Sequence, residues 1–247
     1  MKRFAWILLP LIVWLALVVR ATPAQWGIWA ADLPVQMDGV TGTIWNGQVA
    51  NVVVPYPGGS YSLGTLNWEL NPWSVLTFSP CAAFKTELAD QTTSGTVCAG
   101  LGGSLVVEDA QVNLPAAVAE IWAPIRVRGQ VDAQIESLTF ADNKIRELRG
   151  KGSWSNAHYH NSQIWIKLGT IAFDLGEDGQ GGMNAKVFDI EGPLQLDLDS
   201  QFTLAGAYTI RGNIVLRPDA PEEIAQLLAI VAEEIRRGEY NVEWVGS

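Results

Sequence analysis

The feature that most restricts this chain is a repeated pattern: a glycine followed by residues that alternate between apolar and polar. Gly129-Gln130-Val131-Asp132-Ala133-Gln134-Ile135-Glu136 alternates without a fault, and Gly192 to Asp199 sets Leu194, Leu196 and Leu198 against Gln195, Asp197 and Asp199. Gly64 to Leu70 places Leu66, Trp68 and Leu70 on one side, and Val40 to Gly47 is a further example. Tyr208, Ile210, Ile214 and Leu216 carry the phase through Gly212. A period of two over so many segments specifies strands with one buried and one wetted face. Parallel sheets, buried on both sides, would show continuous apolar runs instead, so the expectation is an antiparallel, mainly β body. Glycines at strand starts and within strands imply bends or bulges that curl the sheet.

Turn chemistry separates the runs at Pro55 to Gly59, Ala141-Asp142-Asn143 and Gly176 to Gly182. The last stretch has neither the Lys-Ser/Thr of a phosphate loop nor the acidic spacing of a calcium loop, and it reads as a hairpin tip. Two helices break the pattern. One is short and apolar, Pro115 to Trp122. The other begins with a capping-box-like Asp219-Ala220-Pro221-Glu222 and carries Ile224, Leu227, Leu228, Val231 and Ile235 as one stripe, closing at Arg236-Arg237-Gly238. That helix is expected to cover the apolar face of the last strands. Tyr240 to Trp244 alternates again and predicts a final strand.

Lys2 and Arg3 precede an uncharged run from Phe4 to Val19, closed by Arg20. The run spans about 24 Å at helical rise, against ~30 Å of bilayer core. With Arg20 snorkelling and Thr22 to Trp26 in the interface, the expectation is an uncleaved transmembrane anchor at residues 4–20. The competing reading is a cleaved signal peptide, but Val19-Arg20-Ala21 fits such a site poorly: Arg20 falls in the cleavage region, and the apolar run is slightly long for a signal-peptide core. Lys2 and Arg3 put residues 1–3 in the cytoplasm and residues 21–247 on the far side of the membrane, as a β domain with a sub-lobe boundary near 124–128.

Hydrophobic residues make up 48% of the chain and charged residues 17%, enough to build a core. A net charge of -10 argues against nucleic acid, which requires clustered Lys and Arg. Several of the eleven Trp recur in strand-like runs, where a large flat side chain fills space between layers. Cys81 and Cys98 have no redox or zinc spacing; in an oxidising compartment a disulfide is the expected outcome, the alternative being two buried thiols. His158 and His160 would share one side of a strand, yet two ligands do not make a closed metal site. No nucleophile elbow, zinc-helix motif or dinucleotide turn is present, so no catalytic residue, metal or cofactor is expected.

Three stretches carry a likeness to a known family: Gly39 to Gly47, Gly64 to Leu76, and Gly212 to Pro221 with the helix after it. The chain resembles the type II secretion system protein N family over nearly its whole length. The resemblance implies a bitopic inner-membrane protein that takes part, as an accessory component, in export of folded proteins across the outer membrane. Its partners would be other secretion components of the inner membrane and periplasm. The strands also resemble the curved sheets of the AsmA-like group, whose apolar groove carries lipids. Two functions follow as expectations: a periplasmic scaffold, or a lipid-binding or transfer element using the apolar sheet face.

Overall fold

The computed structural model describes Pro10, Trp14 and residues 17–31, 35–56, 59–100, 102–121, 125–161 and 163–246. The protein is mainly β with few helices, the strand pairings described are antiparallel, and the chain divides into two compact units, residues 1–89 and 90–247. Of the segment 4–20, Pro10, Trp14 and residues 17–20 are helical; the rest of the expected anchor lies outside the described residues. Among the described residues no helix is long and apolar enough to cross a membrane.

In the first unit, helix α1 (Ala24–Ala31) precedes strands β1 (Gln36–Asp38), β2 (Thr41–Gly42), β3 (Asn46–Tyr56) and β4 (Gly59–Leu70). Helix α2 (Pro72–Leu76) and β5 (Cys81–Leu88) follow. The strands order as β1-β3-β4-β5, with β2 also on β3. The expected strand over Val40 to Gly47 is instead a turn between two pieces. Gly42 at φ +87° swings the chain, and the Thr43 amide closes on the Asn46 carbonyl at 2.9 Å. Trp68 then spans from β4 across to Gly47, its indole N–H donating to the Ile44 carbonyl at 3.1 Å.

The second unit is a meander. It runs through β6 (Gln91–Ala99), β7 (Leu105–Pro115), a 3-10 turn (Ala116–Ile121), β8 (Val127–Ala141), β9 (Lys144–His160) and β10 (Trp165–Glu177). It continues through β11 (Met183–Glu191), β12 (Leu194–Phe202) and β13 (Tyr208–Leu216), each beside its predecessor. Helix α3 (Glu222–Val231) and β14 (Glu233–Arg236) come next, and β15 (Glu239–Gly246) returns to pair with β13, leaving β14 outermost. Residues 125–128, part of the stretch 124–128, lead into β8. Asp142 and Asn143, at φ 52° and 57°, form the two-residue turn whose handedness matches strand twist. Gly176 to Gly182 is the β10–β11 hairpin tip, as the turn composition implied.

The core gathers where α3 meets β12, β13 and β15. Leu196, Ile214 and Tyr240 face one another across the three strands, as do Leu198, Gly212 and Val242. Ile224 and Leu228 of α3 close over them, with Ile224 only 1% exposed. The helix does cover the last strands, but it is shorter than the stripe implied. Ala232 is extended and the Trp244 indole N–H donates to the Val231 carbonyl at 2.6 Å, so Ile235 falls on exposed β14 instead of the apolar stripe. The expected capping box is also absent: Pro221 occupies the cap without a side-chain hydrogen bond, and Glu222 and Glu223 supply negative charge to the first turn. Pro115 ends β7, and the short helix after it is 3-10 in form.

Candidate functional site

Residues directly opposite in a sheet share a face, and pairing in the second unit aligns its apolar positions into long rows. One row runs Val112, Ala133, Gly152, Phe173, Val187, Leu198, Gly212 and Val242, from β7 to β15. A second runs Leu114, Val131, Trp154, Ile171 and Asp189. Helix α3 packs over the end of these rows on β12, β13 and β15. On β7 to β10 the same face carries Val112, Val131, Phe173 and Ile171, all only half-buried. The opposite face presents Gln134, Lys151, Asp174, Lys186, Asp197 and Arg211. The apolar face is therefore far longer than the helix that covers it.

Asp189 marks the point where covered and uncovered parts meet. Its carboxylate is almost wholly buried, pairs with the Arg217 guanidinium, and accepts from the Leu196 amide at 2.8 Å. Arg217 also donates to the Gly192 carbonyl at 2.8 Å. An acid in an apolar row is tolerable only because both of its oxygens are engaged, one of them by a full opposite charge. Beside this pair lies a polar cavity of about 540 Å³, bordered by Lys167, Glu191, Gly192, Arg217 and Asp219.

The two histidines lie near the end of β9 and do not face each other across a ligand. His158 donates from Nδ1 to the Asn156 carbonyl, 2.7 Å away, and pairs in register with Arg128 and Lys167. His160 stacks edge-on against Trp165 with centroids 4.8 Å apart, and the Arg128 guanidinium lies 3.9 Å above the same indole. Among the described residues no group of three or more His, Cys, Asp or Glu could hold a metal. Sequence reasoning treated this region as neutral polar surface. The structure instead concentrates Arg128, Lys167 and Trp165 there, a grouping that depends on strand register and has no local signature. Cys81 and Cys98 are both disulfide-bonded.

The profile of the family described as Type II secretion system (T2SS), protein N, matches residues 34–243. The chain belongs to this family. It is 26% identical over 254 residues to the type II secretion system protein N of Aeromonas hydrophila, covering 96% of this chain and 95% of that protein. It is 27% identical over 239 residues to the protein of the same name from Vibrio cholerae serotype O1, covering 90% of each. No solved structure matches. As a protein N family member the chain is a component of secretion machinery, and each of the segments that carried the likeness is held in a strand pair. Gly47 lies opposite Trp68 in the first unit, and Gly212 lies opposite Leu198 in the second.

Proposed function

We propose that this protein is a non-enzymatic accessory scaffold of the type II secretion machinery, held in the inner membrane by residues 4–20. Residues 1–3 lie in the cytoplasm in this reading, and the body from residue 21 lies in the periplasm. The cations ahead of the apolar run support that direction, and the disulfide supports an oxidising compartment. The observation that carries the scaffold role is the apolar face on β7 to β10, which α3 leaves half-exposed. Contiguous apolar surface of that length typically meets a partner. The outermost strand β14 is a poorer candidate for strand addition: it is four residues long, irregular in register and rich in charge, features that discourage edge pairing.

A second reading, a lipid or amphiphile binder, is favoured by the make-up of the first row. Val112, Ala133, Gly152, Phe173 and Val187 offer no side-chain hydrogen-bonding group, which suits an acyl chain as well as an apolar protein surface. Photo-crosslinking in intact envelopes separates the two. A photoreactive residue at Phe173 is expected to capture another secretion component, while one at Asp174, on the polar face, captures none. Capture of lipid alone at Phe173 would replace the scaffold with the lipid binder, and no adduct of either kind would remove both.

A further inference from the structure

Between β4 and β5 the chain makes a single helical turn and leaves three large apolar side chains in solvent. Trp73 is 76% exposed, Leu76 69% and Phe78 73%. The turn itself is tightly held. Asn71 Oδ1 accepts from the Trp73 amide at 3.0 Å. Ser74 Oγ donates to the Asn71 carbonyl at 2.6 Å and accepts from the Cys81 amide at 2.8 Å. The Ser79 amide returns to the Ser74 carbonyl at 3.1 Å.

Phe78 adds strain to this order. Its φ of +57° is the left-handed conformation usually taken by glycine after a helix, and a β-carbon disfavours it. Its ring contributes nothing to a core inside the chain. Single exposed apolar residues are ordinary. Three of them on one rigid turn, one in strained backbone, indicate a surface that meets something apolar outside the chain.

Two observations identify what that is. From Asn71 to Pro80 there is no charged residue, although the chain carries -10 overall. Carboxylates are repelled by an anionic phospholipid surface, and this stretch has none. The turn also stands beside the end of the N-terminal apolar run. Val19, Arg20, Trp45, Glu69, Leu70 and Pro72 border one cavity of about 730 Å³, and the Trp45 indole N–H donates to the Val19 carbonyl at 2.8 Å. Trp and Arg settle where hydrocarbon gives way to headgroups, and both stand at this junction.

We infer that Trp73, Leu76 and Phe78 form a wedge that dips into the lipid bilayer next to the anchor, giving the first unit a second attachment to the membrane surface. The inference rests on residues 4–20 being the inner-membrane anchor. Because both native cysteines are disulfide-bonded, one added cysteine can carry an environment-sensitive fluorophore. The full chain would be reconstituted in nanodiscs of phosphatidylethanolamine and phosphatidylglycerol and labelled at L17C, L76C or S60C, with a spin-labelled lipid as quencher. Labels at residues 17 and 76 are expected to lose most of their emission, and the label at residue 60, on the β3–β4 hairpin, to keep it.

Quenching at residue 17 but not at 76 would overturn the wedge and leave the anchor standing. Quenching at neither would remove the anchor and the wedge together. If L76C fails to fold, W73C takes its place. The Phe78→Gly variant gives an independent readout: a higher melting temperature, from relief of strain, with weaker quenching at residue 76. A lower melting temperature would show that the ring serves the fold, and a label at residue 76 shielded in envelopes by a protein instead of lipid would likewise overturn the proposal.

Discussion

The indole of Trp68 on β4 lies across Gly47 on β3, occupying the space where a β-carbon at residue 47 would project. The two stretches that the sequence marks with Gly and Trp are thus one cross-strand unit, closed by the Trp68 N–H to the Ile44 carbonyl. Gly47→Ala should cost about 1–3 kcal/mol, as added volume does in a packed site. Trp68→Ala should cost about 3 kcal/mol through lost burial and an orphaned carbonyl. Urea denaturation of each variant and of the double variant would show non-additivity, because removing the ring relieves the closest contact of a methyl group at position 47 and leaves only the Thr41 carbonyl at 2.9 Å.

Gly169 sits at a bulge in β10 with φ +94°, and a β-carbon there would strike the Glu191 carbonyl of β11. Gly169→Ala therefore combines backbone strain with a clash against atoms that cannot rotate away, and should destabilise by about 3 kcal/mol. Gly179 has a similar φ of +73° but nothing within 4 Å of its would-be β-carbon. Gly179→Ala should lose only about 1 kcal/mol, the conformational part alone. Equal losses in thermal unfolding would refute the role given to the Glu191 carbonyl.

Ile224 and Ile230 belong to the same helix but differ in burial, 1% against 82%. Ile224→Ala should cost about 2–5 kcal/mol by opening a cavity above Leu196 and Ile214, whereas Ile230→Ala should stay within about 0.5 kcal/mol. Chemical denaturation that ranked them equally would mean α3 does not seal the core.

The disulfide contributes through the loop it closes. In the chain-entropy picture a loop of this size adds roughly 3 kcal/mol. Reduction, or Cys81→Ser, should lower the melting temperature by on the order of 10 °C for a protein of this size. An unchanged melting temperature under reductant would remove that contribution and weaken the case for periplasmic placement.

Asp178 opens the β10–β11 hairpin tip. Burial opposes its charge, but the amides of Gln180 and Gly182, donating to Oδ1 at 2.7 and 2.8 Å, outweigh it and hold the carboxyl below its usual range. Since the folded group is the stronger acid, its contribution is complete above the unfolded value of about 4 and fades as pH falls through the folded value. Protection of the Gly182 amide from hydrogen exchange, relative to its intrinsic rate at each pH, should therefore fall below that range in the native protein. In Asp178→Ala that protection should be low at every pH, with no acid transition.

The sequence by itself determined the strands that alternate most regularly, with their wet and dry sides, and the main hairpin tips, because each follows from alternation and turn chemistry within a few consecutive residues; Val40 to Gly47, which alternates but turns at Gly42, is the exception. The β12 stretch and the Asp142-Asn143 turn are clear cases. It also identified α3 by its stripe, although not its end, since helix termination at Val231 depends on Trp244 arriving from a later strand. Only the tertiary structure decided which positions share a row, how far α3 reaches along the apolar face, and that Arg128, Lys167 and Trp165 assemble around the histidines. Register is a property of pairs of strands, and no single strand encodes it. Exposure of Trp73, Leu76 and Phe78 was equally hidden. Their composition reads as core, and only the folded chain shows that this turn faces outward, held there by hydrogen bonds from Asn71 and Ser74.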